Sequence, residues 1–162
     1  MASSGKSATA TPRIKKASVV LVRTEWNALV VDELYSGCKR ILSAEKANLR
    51  GDILVPGAFE IPFAIKKYWE KTKQSRSGRP EAFIALGCVI RGNTPHFEYV
   101  CRAVTDGIVR LNLILPVPVI FGILTVDNIE QAEERIGGIH GHKGEEAAQT
   151  ALKMISFCRN IR

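Results

Sequence analysis

The feature that most constrains this chain is an alternation. Short apolar runs recur along it, and each is followed by a stretch with apolar residues at helical spacing. The first run, ASVVLVR (17–23), is β-branched and predicts a buried strand. Residues 27–47 follow, with Leu29, Val30, Leu34, Cys38, Ile41 and Leu42 on one side of an amphipathic helix. GDILV (51–55) predicts a second strand, stopped by Pro56-Gly57, and a helix is expected over 61–71. AFIALGCVI (82–90) reads as the third strand and 95–114 as the third helix. Thr94 suits the N-cap of that helix, with Pro95 at its first position. PVIFGILTV (118–126) predicts a fourth strand, 129–136 a short helix, and 143–161 a last helix. Glu145 and Glu146 in the first turn of that last helix suit its dipole.

The order is β-α-β-α-β-α-β-α-α. The strands read as apolar throughout, as expected when both faces of a sheet are covered. Alternation of this kind predicts an α/β fold with a parallel sheet between two helix layers. At 162 residues the chain suits one domain over 17–162. Residues 1–16, rich in Ser, Ala, Thr and Lys, read as a disordered basic tail. No apolar stretch in MASSGKSATATPRIKK would make a secretory signal. The longest uncharged apolar run, Leu113 to Val126, is 14 residues and is broken by Pro116 and Pro118. That is too short to cross a bilayer, so a cytoplasmic location is expected.

The formal net charge is +7, which raises the question of nucleic acid. Its distribution argues against that partner. Segment 1–16 carries Lys6, Arg13, Lys15 and Lys16 and no acid. Segment 66–79 carries Lys66, Lys67, Lys71, Lys73, Arg76 and Arg79 against Glu70 alone. The remainder is slightly acidic, so the excess sits in a tail and a surface loop. Cys38, Cys88, Cys101 and Cys158 are far apart and form no CxxC pair. They read as free thiols rather than metal ligands or a disulfide framework.

Ligands of open parallel sheets bind beyond the carboxyl ends of the strands. Those ends are where the unusual residues collect. Arg23-Thr24-Glu25-Trp26-Asn27 follows strand one and Pro56-Gly57-Ala58-Phe59-Glu60 follows strand two. Arg91-Gly92-Asn93-Thr94-Pro95-His96 follows strand three, and Asp127-Asn128 follows strand four. Each residue alone has an ordinary reading. Trp26 could cover a helix end, Glu60 could serve a helix dipole, and His96, one of three histidines, could be a surface residue. Arg91 and Arg135 could be solvated charges. The convergence of four strand ends makes the group a site candidate.

GGIHGHKGEE (137–146) is a glycine-rich loop entering a helix, where backbone N–H groups could receive an anion. It is not a P-loop: no glycine immediately precedes Lys143 and no Ser or Thr follows it. His140 and His142 are only two possible ligands, and no metal site is expected. The GxGxxG dinucleotide fingerprint is absent.

Four blocks in fixed order carry a resemblance: VPGAFEIP (55–62), ALGCVIRGNTPHFEYV (85–100), PVIFGILTVDNIEQAEER (118–135) and HKGEEAA (142–148). Together the chain closely resembles the lumazine synthase family over roughly residues 17–158. The resemblance implies a flavodoxin-like three-layer α/β/α sandwich with a four-stranded parallel sheet. It implies condensation of 5-amino-6-(D-ribitylamino)uracil with 3,4-dihydroxy-2-butanone 4-phosphate, giving 6,7-dimethyl-8-ribityllumazine, orthophosphate and water. This is the penultimate step of riboflavin biosynthesis. It implies no metal and no organic cofactor. It also implies a homopentamer with active sites between subunits. Decamers and icosahedral 60-mers are among the assemblies it admits, and riboflavin synthase among the partners.

By the same resemblance, Trp26 stands where an aromatic stacks on the pyrimidine. Ala58, Phe59 and Glu60 match the stretch that holds the ribityl chain. Cys88, Val89 and Ile90 match the segment whose backbone reads the pyrimidine edge. Asn93 and Thr94 match the contact to the phosphorylated substrate, and His96 the proton-transfer residue. Phe121, Arg135 and Lys143 match groups supplied by the neighbouring subunit. Arg135 is the phosphate ligand among them, and Lys143 also faces the substrates. The residue types suit the chemistry. Histidine moves protons near neutral pH, arginine offers a planar fork to phosphate, and tryptophan offers a flat face to uracil.

Three features depart from the family pattern. The loop over 72–80 is longer than in many members, the tail is longer, and His142 stands where an asparagine is common. None removes a matched position, but loop and tail bear on contacts between pentamers. Two other readings compete with the enzyme. One is a flavin- or lumazine-binding protein on the same scaffold with little catalysis, the other a shell-forming structural protein. The presence of His96, Arg135 and Lys143 favours the enzyme, because a carrier has no need of a phosphate arginine.

Overall fold

A computed structural model describes residues 10, 14, 16–75 and 77–161. Its strands are β1 (Ser18–Thr24), β2 (Asn48–Val55), β3 (Ala82–Ile90) and β4 (Val119–Val126). Helices α1 (Ala28–Ala44), α2 (Ile61–Thr72) and α3 (His96–Ile114) alternate with them, and α4 (Ile129–Glu133) and α5 (Lys143–Asn160) follow. The four strands pair in parallel in the order β2-β1-β3-β4. This is the α/β sandwich expected, with a four-stranded parallel sheet of flavodoxin-like type.

The side-chain period of two in a strand explains the layers. In β1, Val19 and Leu21 belong to one core with Val31 and Leu34 of α1 and Ala148 and Leu152 of α5. Val20 and Val22 belong to a second core with Ile61 and Ile65 of α2 and Val104 and Ile108 of α3. β3 divides the same way: Ile84 and Leu86 face the first core, Phe83 and Ala85 the second. All these residues are at most 3% exposed. Each such aliphatic side chain contributes about 1.5–3 kcal/mol by leaving water.

Two expectations need correction. β2 is longer than 51–55 and is not apolar throughout; its residues alternate between exposed and half-buried up to Val55. It is an edge strand, so one side of its ladder is open. A bulge, where Val19 pairs with Leu49 but Val20 with Gly51, turns the strand over. Leu49 therefore packs on the first core and Ile53 on the second. The helix expected over 129–136 stops at Glu133. The glycine-rich loop beyond it is a small hairpin, β5 (Ile136–Gly138) against β6 (Gly141–His142). Gly137 and Gly141 take φ of 121° and 77°, a region that favours glycine.

Of the tail expected over 1–16, residues 1–9, 11–13 and 15 lie outside the described set. Ile14 is described and is buried in the first core at 7% exposure. Among the described residues no helix is long and apolar enough to cross a membrane.

Candidate active site

The chain leaves β1 toward β2 on one side and then returns to place β3 on the other. The crevice at such a switch point lies at the carboxyl ends of the two diverging strands, here β1 and β3. A cavity of about 540 Å³ opens there. Trp26, Ala58, Phe59, Glu60, Cys88, Val89, Ile90 and His96 all line it, with Thr24, Asn27 and Val100.

The loops are tied together by backbone. After β1, the Glu25 amide donates to Val55 O at 2.9 Å and the Trp26 amide to Pro56 O at 3.3 Å. The buried Thr24 hydroxyl donates to Trp26 O at 3.3 Å. These bonds hold the Trp26 backbone while its side chain stands 72% exposed, an open flat face with fixed footing. Residues 58–60 form one 3-10 turn that leads into α2. Ala58 packs inward at 7% exposure and Phe59 projects at 64%.

Asn27 was not singled out from the sequence, and it joins the two halves of the crevice. It sits in the left-handed region at φ 57°, ψ 44°, just before α1. Its Nδ2 donates to Cys88 O on β3 at 2.8 Å. Part of the hydrogen-bonding capacity of the Cys88–Ile90 edge is thus already taken by the protein, at Cys88. Burial pushes the Cys88 thiol up to about 11, so this sulfur stays protonated at neutral pH and acts as packing.

His96 opens α3 and is exposed. Pro95 already has helical angles, φ −63° and ψ −3°, and Thr94 Oγ1 accepts from the His96 amide at 3.4 Å. The helix thus starts one residue later than expected, with Pro95 rather than Thr94 in the N-cap place, and Thr94 keeps only a long bond to the His96 amide. Asn93 and Thr94 are exposed in the loop leading to His96 and are not among the cavity's lining residues.

Phe121, Arg135 and Lys143 do not line this cavity either. Phe121 lies on the outer edge strand β4, 41% exposed, over a separate groove with Cys101, Thr105 and Val109 of α3. Arg135 and Lys143 are brought together by the hairpin: the Lys143 amide donates to Arg135 O at 2.8 Å. Arg135 Nη1 donates to Gln131 O at 2.7 Å and stands 3.4 Å from Glu134 Oε2. Lys143 Nζ donates to both Glu146 oxygens, at 2.9 and 2.8 Å. One chain thus carries a concave set around Trp26 and His96, with Phe121 on β4 and Arg135 and Lys143 on either side of the hairpin all outside it.

His140 Nε2 lies 3.6 Å from Glu134 Oε2. Both ring nitrogens of His142 are out of contact with solvent and lack hydrogen-bond partners. Among the described residues no group of three or more His, Cys, Asp or Glu stands together.

Comparison with known proteins places this geometry. Residues 16–159 match the family model for 6,7-dimethyl-8-ribityllumazine synthase. A protein of that name from Parabacteroides distasonis is 43% identical over 150 residues, covering 90% of this chain and 89% of the relative. Another from Bacteroides fragilis is 42% identical over 139 residues, 85% of this chain and 93% of the relative. A third, from Bdellovibrio bacteriovorus, is 42% identical over 146 residues, with 90% and 78% covered. Matched along nearly its whole described length, the chain belongs to the 6,7-dimethyl-8-ribityllumazine synthase family.

Proposed function

We infer that this chain condenses 5-amino-6-(D-ribitylamino)uracil with 3,4-dihydroxy-2-butanone 4-phosphate to give 6,7-dimethyl-8-ribityllumazine, orthophosphate and water. The observation that carries the reading is the cavity at the switch point, lined together by Trp26, Ala58–Glu60, Cys88–Ile90 and His96. An apolar face, a backbone edge and a titratable imidazole meet in one crevice.

The reaction follows from these groups. The uracil ring lies against the exposed Trp26 indole, with free polar groups of the β3 terminus reading its edge. The ribityl chain runs along Phe59 and Glu60. The substrate amine attacks the ketone and, as water leaves, forms an imine. Phosphate then departs, and the second amine closes the ring on the remaining carbonyl, whose oxygen leaves as a second water. His96, beside the crevice, takes up and returns protons in these steps. Much of the rate comes from holding two reactants together, worth up to about 7–11 kcal/mol in well-oriented systems.

Asn93, Thr94 and Arg135 serve the butanone phosphate, while Phe121 and Lys143 complete the uracil side. The separation of Phe121, Arg135 and Lys143 from the cavity of their own chain supports a site completed by a neighbour. A homopentamer with sites between subunits is the assembly proposed, and a cytoplasmic location goes with the pathway. The direct test mixes both substrates with purified protein and follows the absorbance and green fluorescence of the lumazine above the uncatalysed background. A rate no greater than background refutes the enzyme.

A further inference from the structure

Arg91 is the first residue after β3, next to Ile90 of the crevice, and it ties the end of β3 to the end of β4 and the start of α3. Its amide donates to Val126 O at the end of β4 at 2.9 Å. Its Nε donates to Asp127 Oδ1 at 2.7 Å, and its Nη1 donates to Glu98 Oε1 in the first turn of α3. The guanidinium carbon also lies 4.2 Å from the centre of the Phe97 ring. Every side-chain partner on α3 is within two residues of His96. The only backbone between Arg91 and that helix start is the loop Gly92–Pro95, which contains Asn93 and Thr94.

We propose that Arg91 is a positioning residue for the condensation, fixing the Asn93–Thr94 loop and His96 against the ends of β3 and β4, and that it is not itself a phosphate ligand. The inference rests on the function proposed above. Two carboxylates already face this cation, so a phosphate dianion would meet Asp127 and Glu98 as well as the guanidinium. Arginine's rigid fork is the right shape for the task, since one planar group bonds two carboxylates in fixed directions while its face covers an aromatic ring. Lysine offers a point charge and no face. The mutual effect of the three charges agrees with the geometry. Asp127 first and Glu98 second raise the Arg91 pKa, and Arg91 lowers both carboxylates.

The test is steady-state kinetics with both substrates on Arg91→Gln, Glu98→Gln and the double variant. For Arg91→Gln, kcat should fall about tenfold while KM for the butanone phosphate moves less than about twofold, the signature of lost orientation rather than lost binding. Glu98→Gln should lose about threefold in kcat, and the double variant should be no worse than Arg91→Gln alone, because both act through one contact. A KM rise of about tenfold at parental kcat would make Arg91 a phosphate ligand and overturn the proposal. Parental constants in Arg91→Gln, or losses that multiply in the double variant, would overturn it too. Should Arg91→Gln fail to fold, Glu98→Gln and Asp127→Asn decide: both keep the cation, and parental kcat in both sinks the idea. A parent enzyme with no lumazine formation would instead refute the function itself.

Discussion

Asn27 Nδ2 donates to the Cys88 carbonyl at 2.8 Å, across the mouth of the crevice between β1 and β3. Asn27 is also in the left-handed region at φ 57°, which asparagine tolerates better than most residues. Asn27→Ala should therefore lose twice. The hydrogen bond is worth about 1 kcal/mol, and alanine at positive φ costs about another 1–2 kcal/mol. A melting temperature lower by several degrees is expected, at about 2–4 °C per kcal/mol for a chain of this size. Asn27→Gly should lose only the bond and fall roughly half as far. Equal losses in the two variants would show that the backbone conformation plays no part.

A second close approach lies behind the site. A Cβ placed on Gly37 would come within 2.1 Å of His142 Cε1 and 2.5 Å of its Nδ1. Gly37 is buried in α1, and His142 immediately precedes α5, which carries Lys143 at its first position. Gly37→Ala should cost about 1–3 kcal/mol by overpacking, despite the better helix propensity of alanine. His142→Asn, the residue common in the family, should relieve much of that cost in the Gly37→Ala background. Urea unfolding of the two single variants and the double measures the coupling. Strictly additive effects would mean that the ring does not set the α1–α5 distance.

These two contacts mark where reading the sequence stopped. β3 is found over 82–90, as its apolar run predicts, because both its faces meet cores and the run has no reason to end early. The strand-end rule likewise gathers Trp26, Glu60 and His96 to one edge, since parallel topology puts all carboxyl ends there. Asn27–Cys88 and Gly37–His142 stayed hidden because they join positions 61 and 105 residues apart. Nothing local to either partner encodes the other. β2 misled for a different cause. Its polar residues Asn48 and Arg50 fall before the strand predicted over 51–55, while an edge strand with one open side tolerates them. Ile136 reads as the end of a helix and 137–142 as part of a glycine-rich loop, because the hairpin there is too short to show alternation and its glycines mark turns in either case.

The thiols give the alkaline behaviour a sign. Burial pushes Cys38 up to about 12 and Cys88 up to about 11. Below the unfolded thiol value, about 8.5, both sulfurs are neutral in both states and folding loses nothing through them. As pH rises from there toward those raised values, only the unfolded chain ionises, so stability is progressively lost. Each buried thiol steepens the decline by up to about 1.4 kcal/mol per pH unit. Urea midpoints between pH 8 and 10 should fall, and should fall less steeply in Cys38→Ala, whatever that variant's stability at pH 7. Parallel slopes for parent and variant would show that Cys38 is not held as the thiol. Alkylation at pH 8 should likewise spare Cys38 and Cys88 until denaturant is added.

The separation of Arg135 from the crevice predicts complementation between impaired subunits. His96 lines the crevice of its chain, while Arg135 immediately precedes the hairpin, outside that cavity. His96→Ala should slow turnover without abolishing it, because orientation of the substrates survives. Arg135→Ala should lose more, with poorer saturation by the butanone phosphate, because charge on the departing phosphate goes uncompensated. If each site takes its crevice from one subunit and Arg135 from the next, refolding the two variants together rebuilds intact sites. In a random equal mixture about one quarter of the sites would carry both parental halves, as follows from head-to-tail contacts in a closed ring. Activity should therefore rise well above the mean of the separate variants, toward about a quarter of the parent. A site completed within one chain gives no such gain, and activity at the mean of the two variants after verified co-assembly would place Arg135 in the crevice of its own subunit.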